Sequence, residues 1–160
     1  MAQLELLVTT LALVGLSILL GGSMYDHVVL APNFRGGPDG LEHGRLFMSR
    51  ATPANLFRVA APATQILLVV TLIATWRIEQ CRWIVGGALV SLILADVITF
   101  TFHYPRNRLM FGSPTTADPT ALEVAAKQWA VGNAARVALV LLSWLGALFA
   151  LGAVVLRSYS

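Results

Sequence analysis

The sequence predicts an all-α protein: a four-helix transmembrane bundle with a short interfacial helix in its first long loop and an extended last helix. Three observations carry this reading. The 160 residues are 57% hydrophobic and only 12% charged, far more apolar than a soluble domain. Four stretches, about 4–24, 54–76, 83–104 and 137–156, are apolar over roughly 20 residues, the length that crosses about 30 Å of hydrocarbon. Glycine, proline and charged residues gather between them, where the chain must turn. Residues 1–160 therefore form a single integral-membrane domain with the lipid bilayer as its first partner. A net charge of +3 on so few charged side chains does not make a nucleic-acid surface. Cys81 is the only cysteine, which excludes an internal disulfide.

The first span carries Gly15, Ser17, Gly21 and Gly22, small residues that permit close helix contact. It has Glu5 and no basic leader, so it reads as a retained helix. Tyr25, Asp26 and His27 follow at its exit. Arg35-Gly36-Gly37-Pro38-Asp39-Gly40 reads as a turn-rich loop, and the mixed segment Leu41 to Met48 as a short interfacial helix. Thr52-Pro53 starts the second span with a hydroxyl N-cap and a proline at the first helical position. Pro62 lies inside that span. A tight connection, Arg77 to Arg82, makes the second and third spans antiparallel neighbours, with Trp76 and Trp83 as interfacial anchors.

The third span contains Gly87, Ser91 and Ala95, a small-residue seam. Pro105 is expected to close it, leaving Arg106, Asn107 and Arg108 in a second long loop. Asp118-Pro119 and Thr120-Ala121-Leu122-Glu123 are overlapping helix starts for the last segment. That helix would run roughly 55 Å, so its first part should project beyond the bilayer or break near Gly132. Of the 11 Lys and Arg, Arg77, Arg82 and Arg157 fall on the short-loop side and the rest on the other. The positive-inside rule then sets the long loops in the cytoplasm.

Chemistry is expected at the long-loop end of the third span. Asp96, Thr99 and His103 recur at offsets of three and four, which places them on one helical face. An acid inside a spanning segment needs a bundle interior or a polar cavity. Asp96 and His103 are the candidate catalytic bases, set against a purely structural role for Asp96 as a pin between helices. The candidate substrate-binding set is Arg106, Asn107, Trp129, Asn133, Arg136, Tyr25 and His27. Trp129, Asn133 and Arg136 share a face of the last helix and should bind the Pro105-Arg106-Asn107 turn, with Asn107 and Arg136 acting together. No metal ligand and no cofactor are expected, since the three histidines lack HxxxH, ExxH or CxxC company. A haem or metal held by His27 and His103 is the remaining option.

Gly22-Ser23-Met24-Tyr25-Asp26, the run to Leu30-Ala31-Pro32, Met48-Ser49-Arg50-Ala51-Thr52-Pro53 with Phe57 and Pro62, Pro105-Arg106-Asn107-Arg108-Leu109, and Trp129 with Asn133 and Arg136 form one spaced pattern. This pattern resembles the anthrone oxygenase-like family of small four-helix membrane proteins. The resemblance implies oxidation of polycyclic anthrones to anthraquinones by O₂ without metal or flavin. It brings no catalytic residue set with it.

The expected function is thus a membrane-embedded oxygenase or oxidoreductase acting on an apolar aromatic or quinone-like molecule from the lipid. Two alternatives stand beside it. One is an accessory or scaffold subunit that forms a homo-oligomer through its small-residue seams. The other is a haem- or metal-binding electron carrier.

Overall fold

The computed structural model describes residues 2–112 and 118–158. Among them there is no strand; the chain runs α1 (Ala2–Tyr25), a π-helical turn (Asp26–Leu30), α2 (Ala31–Phe34), α3 (Gly37–Phe47), α4 (Pro53–Ala74), α5 (Glu79–Ile98), a second π-helical turn (Thr99–His103), α6 (Tyr104–Phe111) and α7 (Pro119–Ser158). Four continuous helical stretches, Gln3–Phe34, Pro53–Ala74, Glu79–Phe111 and Pro119–Ser158, are long and apolar enough to cross a membrane. The protein is a four-helix transmembrane bundle. α1 packs against α4 and α7, and α5 packs against the same two helices.

Lipid is as apolar as leucine, so the bundle cannot be held by burying large side chains alone. Its interior combines small and hydroxyl residues with leucines and valines at helical spacing. α5 turns Cys81, Val85, Ala88, Leu92 and Ala95 inward; α7 turns in Val140, Ser143, Ala147, Ala150 and Val154. Val59, Ile66, Ile73, Trp83 and Phe149 stay exposed for lipid. Buried hydroxyls bond back within their own helices, as Thr64 does to the Ala60 carbonyl at 2.7 Å and Thr71 to that of Leu67 at 2.8 Å. Between α4 and α5, Arg82 lies over the Trp76 and Trp83 rings at 5.4 and 5.3 Å.

The third span departs most from expectation. It begins at Glu79 and continues past Pro105 to Phe111, so Arg106, Asn107 and Arg108 are helical. The cause is the wide turn just before the proline. Tyr104 N–H bonds to the Thr99 carbonyl, five residues back. A proline inside an α-helix clashes with the preceding turn, and the wider π-turn relieves this. The first span repeats the device: Ala31 N–H bonds to the Asp26 carbonyl immediately before Pro32. Residues 113–117, the rest of the expected second loop, lie outside the described residues.

Other boundaries also move. The expected loop at Arg35–Gly40 contracts to Arg35 and Gly36, and the interfacial helix begins at Gly37, whose φ of 74° suits glycine. Thr52 holds the N-cap position of α4 without a side-chain cap bond; its carbonyl accepts from Asn55 N–H at 2.9 Å instead. α7 does not break at Gly132 and is one helix of 40 residues. Its start uses Asp118, whose Oδ1 accepts from Thr120 N–H at 3.1 Å. Gly87 faces outward with nothing within 4 Å of a Cβ placed there, so of the seam Gly87-Ser91-Ala95 the Gly87 end is not an internal packing position, while Ala95 is buried in the bundle.

Two apolar clusters result. One fills the middle of the bundle. The other caps the long-loop end, where Leu30, Phe34, Leu41 and Met110 close on Leu122, Ala126 and Trp129 of α7. The cap is tied down by Arg45, whose Nη2 and Nε donate to the Met110 carbonyl at 2.6 and 3.0 Å.

Candidate functional site

Between those two clusters α7 carries Asn133 and Arg136, and both are buried. Each reaches the first span. Arg136 Nη2 donates to Asp26 Oδ2 at 2.6 Å, with both side chains almost wholly enclosed. Asn133 Nδ2 donates to the Ser23 carbonyl at 3.4 Å. The Arg136 guanidinium also lies 5.0 Å from the Phe57 ring centroid on α4. The two π-turns face this stretch of α7. One presents Asp26 and the other His103, which is 1% exposed.

His103 stands edge-on to Trp129, with ring centroids 5.1 Å apart. Trp129 is fixed in turn by Asn107, whose Oδ1 accepts from Trp129 Nε1 at 2.8 Å, and by Phe34 at 5.3 Å. Gly132 permits this approach, because a Cβ there would fall 2.5 Å from the Phe102 ring. The Gly132 backbone interacts with the imidazole, yet neither ring nitrogen makes a hydrogen bond of full geometry.

The layer holds more hydrogen-bonding capacity than the protein uses. Ser23 Oγ, Asp26 Oδ1, His27 Nδ1, both His103 nitrogens, Asn133 Oδ1 and Arg136 Nε are buried without a partner in the protein. Among the described residues only Arg82 Nε and Ser143 Oγ share that condition elsewhere. Native interiors leave few such atoms, and each costs about 1–3 kcal/mol. Those in the layer belong to the end of the first span, to the two π-turns and to α7.

A groove of about 440 Å³ opens beside the layer between the end of α1 and the start of α4. Gly21, Gly22, Tyr25 and Asp26 form one wall, and Leu56 and Phe57 face them. Phe47, the last residue of α3, reaches its edge.

The expected residues divide accordingly. Arg136, Asn133, His103, Trp129 and the Tyr25–His27 exit lie in or beside the layer. Asp96 does not share the face of His103. Its Oδ2 accepts from Gln65 Nε2 at 2.6 Å, between α5 and α4. The intervening π-turn adds a residue to the helical turn. At 3.6 residues per turn this rotates everything beyond it by about 100°, so His103 swings to α7 while Asp96 stays toward α4. Asn107 and Arg136 have separate partners, Trp129 and Asp26, which corrects the expected bond between them. Arg106 bonds to Gln128 Oε1 at 3.0 Å and to the Phe102 carbonyl at 2.8 Å. It stacks on Phe102 at 3.4 Å and braces the rim of the cap.

Asp26, Ser23 and Gln65 were missing from the expected set. Asp26 stood in plain view at a span exit, and Gln65 was the one amide in the apolar middle of α4, Asn55 lying in its first turn. His43 is exposed and bonded to the Asp39 carbonyl at 2.7 Å, away from His27 and His103. Among the described residues no three His, Cys, Asp or Glu side chains are grouped as a metal site requires. No family model, curated protein or solved structure matches this chain.

Proposed function

We propose that the protein is a membrane-embedded oxidoreductase, an oxygenase like the family it resembles, acting on an apolar aromatic or quinone-like molecule that enters from the bilayer. The observation that supports this reading is the set of buried, unpartnered donors and acceptors around His103 and the Asp26–Arg136 pair, next to a groove with apolar walls. Pockets of this kind, mostly apolar with a few convergent polar groups, are the usual form of small-molecule sites.

In this reading His103 is the base. A neutral imidazole takes a proton from the acidic ring carbon of an anthrone-like substrate. The resulting carbanion spreads its charge onto the substrate's carbonyl oxygen, where Arg136 stabilises it. The carbanion passes one electron to O₂, the two radicals join, and the peroxide loses water. One oxygen atom leaves as water with the two hydrogens of the carbon, and the other becomes the new carbonyl. Trp129 and Asn107 are positioning residues: Asn107 holds the indole, and the indole holds the imidazole edge-on. Asp96 is assigned to holding α5 against α4 through Gln65.

The test is O₂ uptake by protein in lipid discs supplied with anthrone. His103→Ala should lower turnover about a hundredfold or more, the scale of general-base catalysis, while Asp96→Asn stays within a few-fold of wild type. Full turnover in His103→Ala would remove the assigned base. No uptake above empty discs would end the oxygenase reading. If the inactive protein forms a stable oligomer that Gly87→Leu disperses, the accessory-subunit reading replaces it.

A further inference from the structure

The structure assigns the groove between α1 and α4 as the binding site for the apolar body of a neutral, hydroxyl-bearing amphiphile drawn from the bilayer. This inference rests on the reading above and adds where the ligand lies, its charge and the residue that sets its fit. Three observations on the groove carry it.

The first is shape. Gly21 and Gly22 leave a stretch of α1 without side chains opposite Leu56 and Phe57. The two glycines are not equivalent. A Cβ on Gly22 would come within 3.1 Å of Phe57 and 3.3 Å of Leu56, so Gly22 serves helix packing. A Cβ on Gly21 would meet nothing within 4 Å. Helix packing therefore does not require glycine at position 21; the bare wall keeps the groove open. A groove of about 440 Å³ lies within the range of small-molecule sites, roughly 300–1,000 Å³.

The second is charge. Asp26 lines the groove, and its carboxylate is already neutralised by Arg136 at 2.6 Å. The resting pair has no net charge to draw an ion out of water; the anion that Arg136 steadies forms only after a neutral ligand has bound. Bringing a further charge into such a site would add an uncompensated desolvation penalty.

The third is the leftover bonding. Asp26 Oδ1 is a buried, unpartnered acceptor on a residue that lines the groove. A hydroxyl can donate to it, whereas a bare hydrocarbon cannot. The remaining lining is mostly apolar, with Phe47, Pro53, Leu56 and Phe57 beside the side chains of Tyr25 and Thr52, which suits an aromatic ring system and not a sugar or a phosphate.

The experiment is equilibrium dialysis of detergent-solubilised full-length protein against protein-free micelles. The probe is 2-naphthol; naphthalene supplies the same body without the hydroxyl, and naphthalene-2-sulfonate the same body with a charge. Wild type should concentrate 2-naphthol above the micelle background and at least tenfold more tightly than either analogue. Gly21→Leu, which adds a side chain where a Cβ meets nothing within 4 Å, should weaken 2-naphthol binding at least tenfold with an unchanged melting temperature. Gly87→Leu, on the outer face of α5, should bind as wild type. Equal binding of the sulfonate, or wild-type affinity in Gly21→Leu, overturns the inference. Turnover of anthrone unaffected by Gly21→Leu would overturn the groove while leaving the oxygenase reading standing. Normal 2-naphthol binding with no O₂ uptake would do the reverse.

Discussion

Arg136 Nη2 and Asp26 Oδ2 lie 2.6 Å apart although 110 residues separate them in sequence. The contact joins the last span to the first at the level where the apolar core stops. Removing one partner of a buried ion pair leaves an uncompensated charge and costs about 3–5 kcal/mol. Asp26→Leu and Arg136→Met should each destabilise the folded protein on that scale. The double variant should recover much of the loss, because neither charge remains. Unfolding in detergent measures this, and strictly additive losses would show that the pair is not coupled.

Asn107 and Arg136 bond to different partners. Asn107→Ala leaves the Trp129 indole N–H unbonded in a mostly buried place, a loss of about 1–3 kcal/mol. Combined with Arg136→Ala, its effect should add to within about 0.5 kcal/mol, as for sites without a shared partner. A strong positive coupling would mean that the two residues do act on one another.

Gly132 and Gly87 offer opposite outcomes for one substitution. A Cβ at Gly132 would sit 2.5 Å from the Phe102 ring, whereas at Gly87 it would meet nothing within 4 Å. Gly132→Ala should therefore destabilise by about 1–3 kcal/mol, the range for overpacking. It should also disturb His103 and reduce turnover. Gly87→Ala should be neutral or stabilise by up to about 1 kcal/mol through helix propensity. Equal melting temperatures for the two variants would contradict the close α7–π-turn approach.

The spans were legible because hydrophobic length is a local property that the bilayer enforces. Trp129, Asn133 and Arg136 were legible as one face because α7 is regular. Asp96 and His103 were not, because their shared face assumed an unbroken α-helical phase. Nothing local distinguishes Thr99–His103 from ordinary helix; only Tyr104-Pro105 and Ala31-Pro32, one proline after each π-turn, hint at it. Proline was read as a stop when the turn before it had room to let the helix continue. The partner of Arg136 was hidden for a different reason. Charge pairs across a bundle depend on which helices adjoin, and the sequence did not say that the last span would lie beside the first.

α7 runs through both apolar clusters as one helix of 40 residues, about 60 Å long against a hydrocarbon core of about 30 Å. It therefore works as a lever with its lower arm in lipid and its upper arm in the cap. Helices answer a change in bilayer thickness by tilting. Trp129, Asn133 and Arg136 lie where the bundle part of α7 meets the cap part, so a tilt of α7 relative to the first and third spans would displace them from Asp26 and His103. O₂ uptake with anthrone should then pass through an optimum across vesicles of short-, medium- and long-chain lipids, while a flat response would mean that the cap moves independently of the membrane.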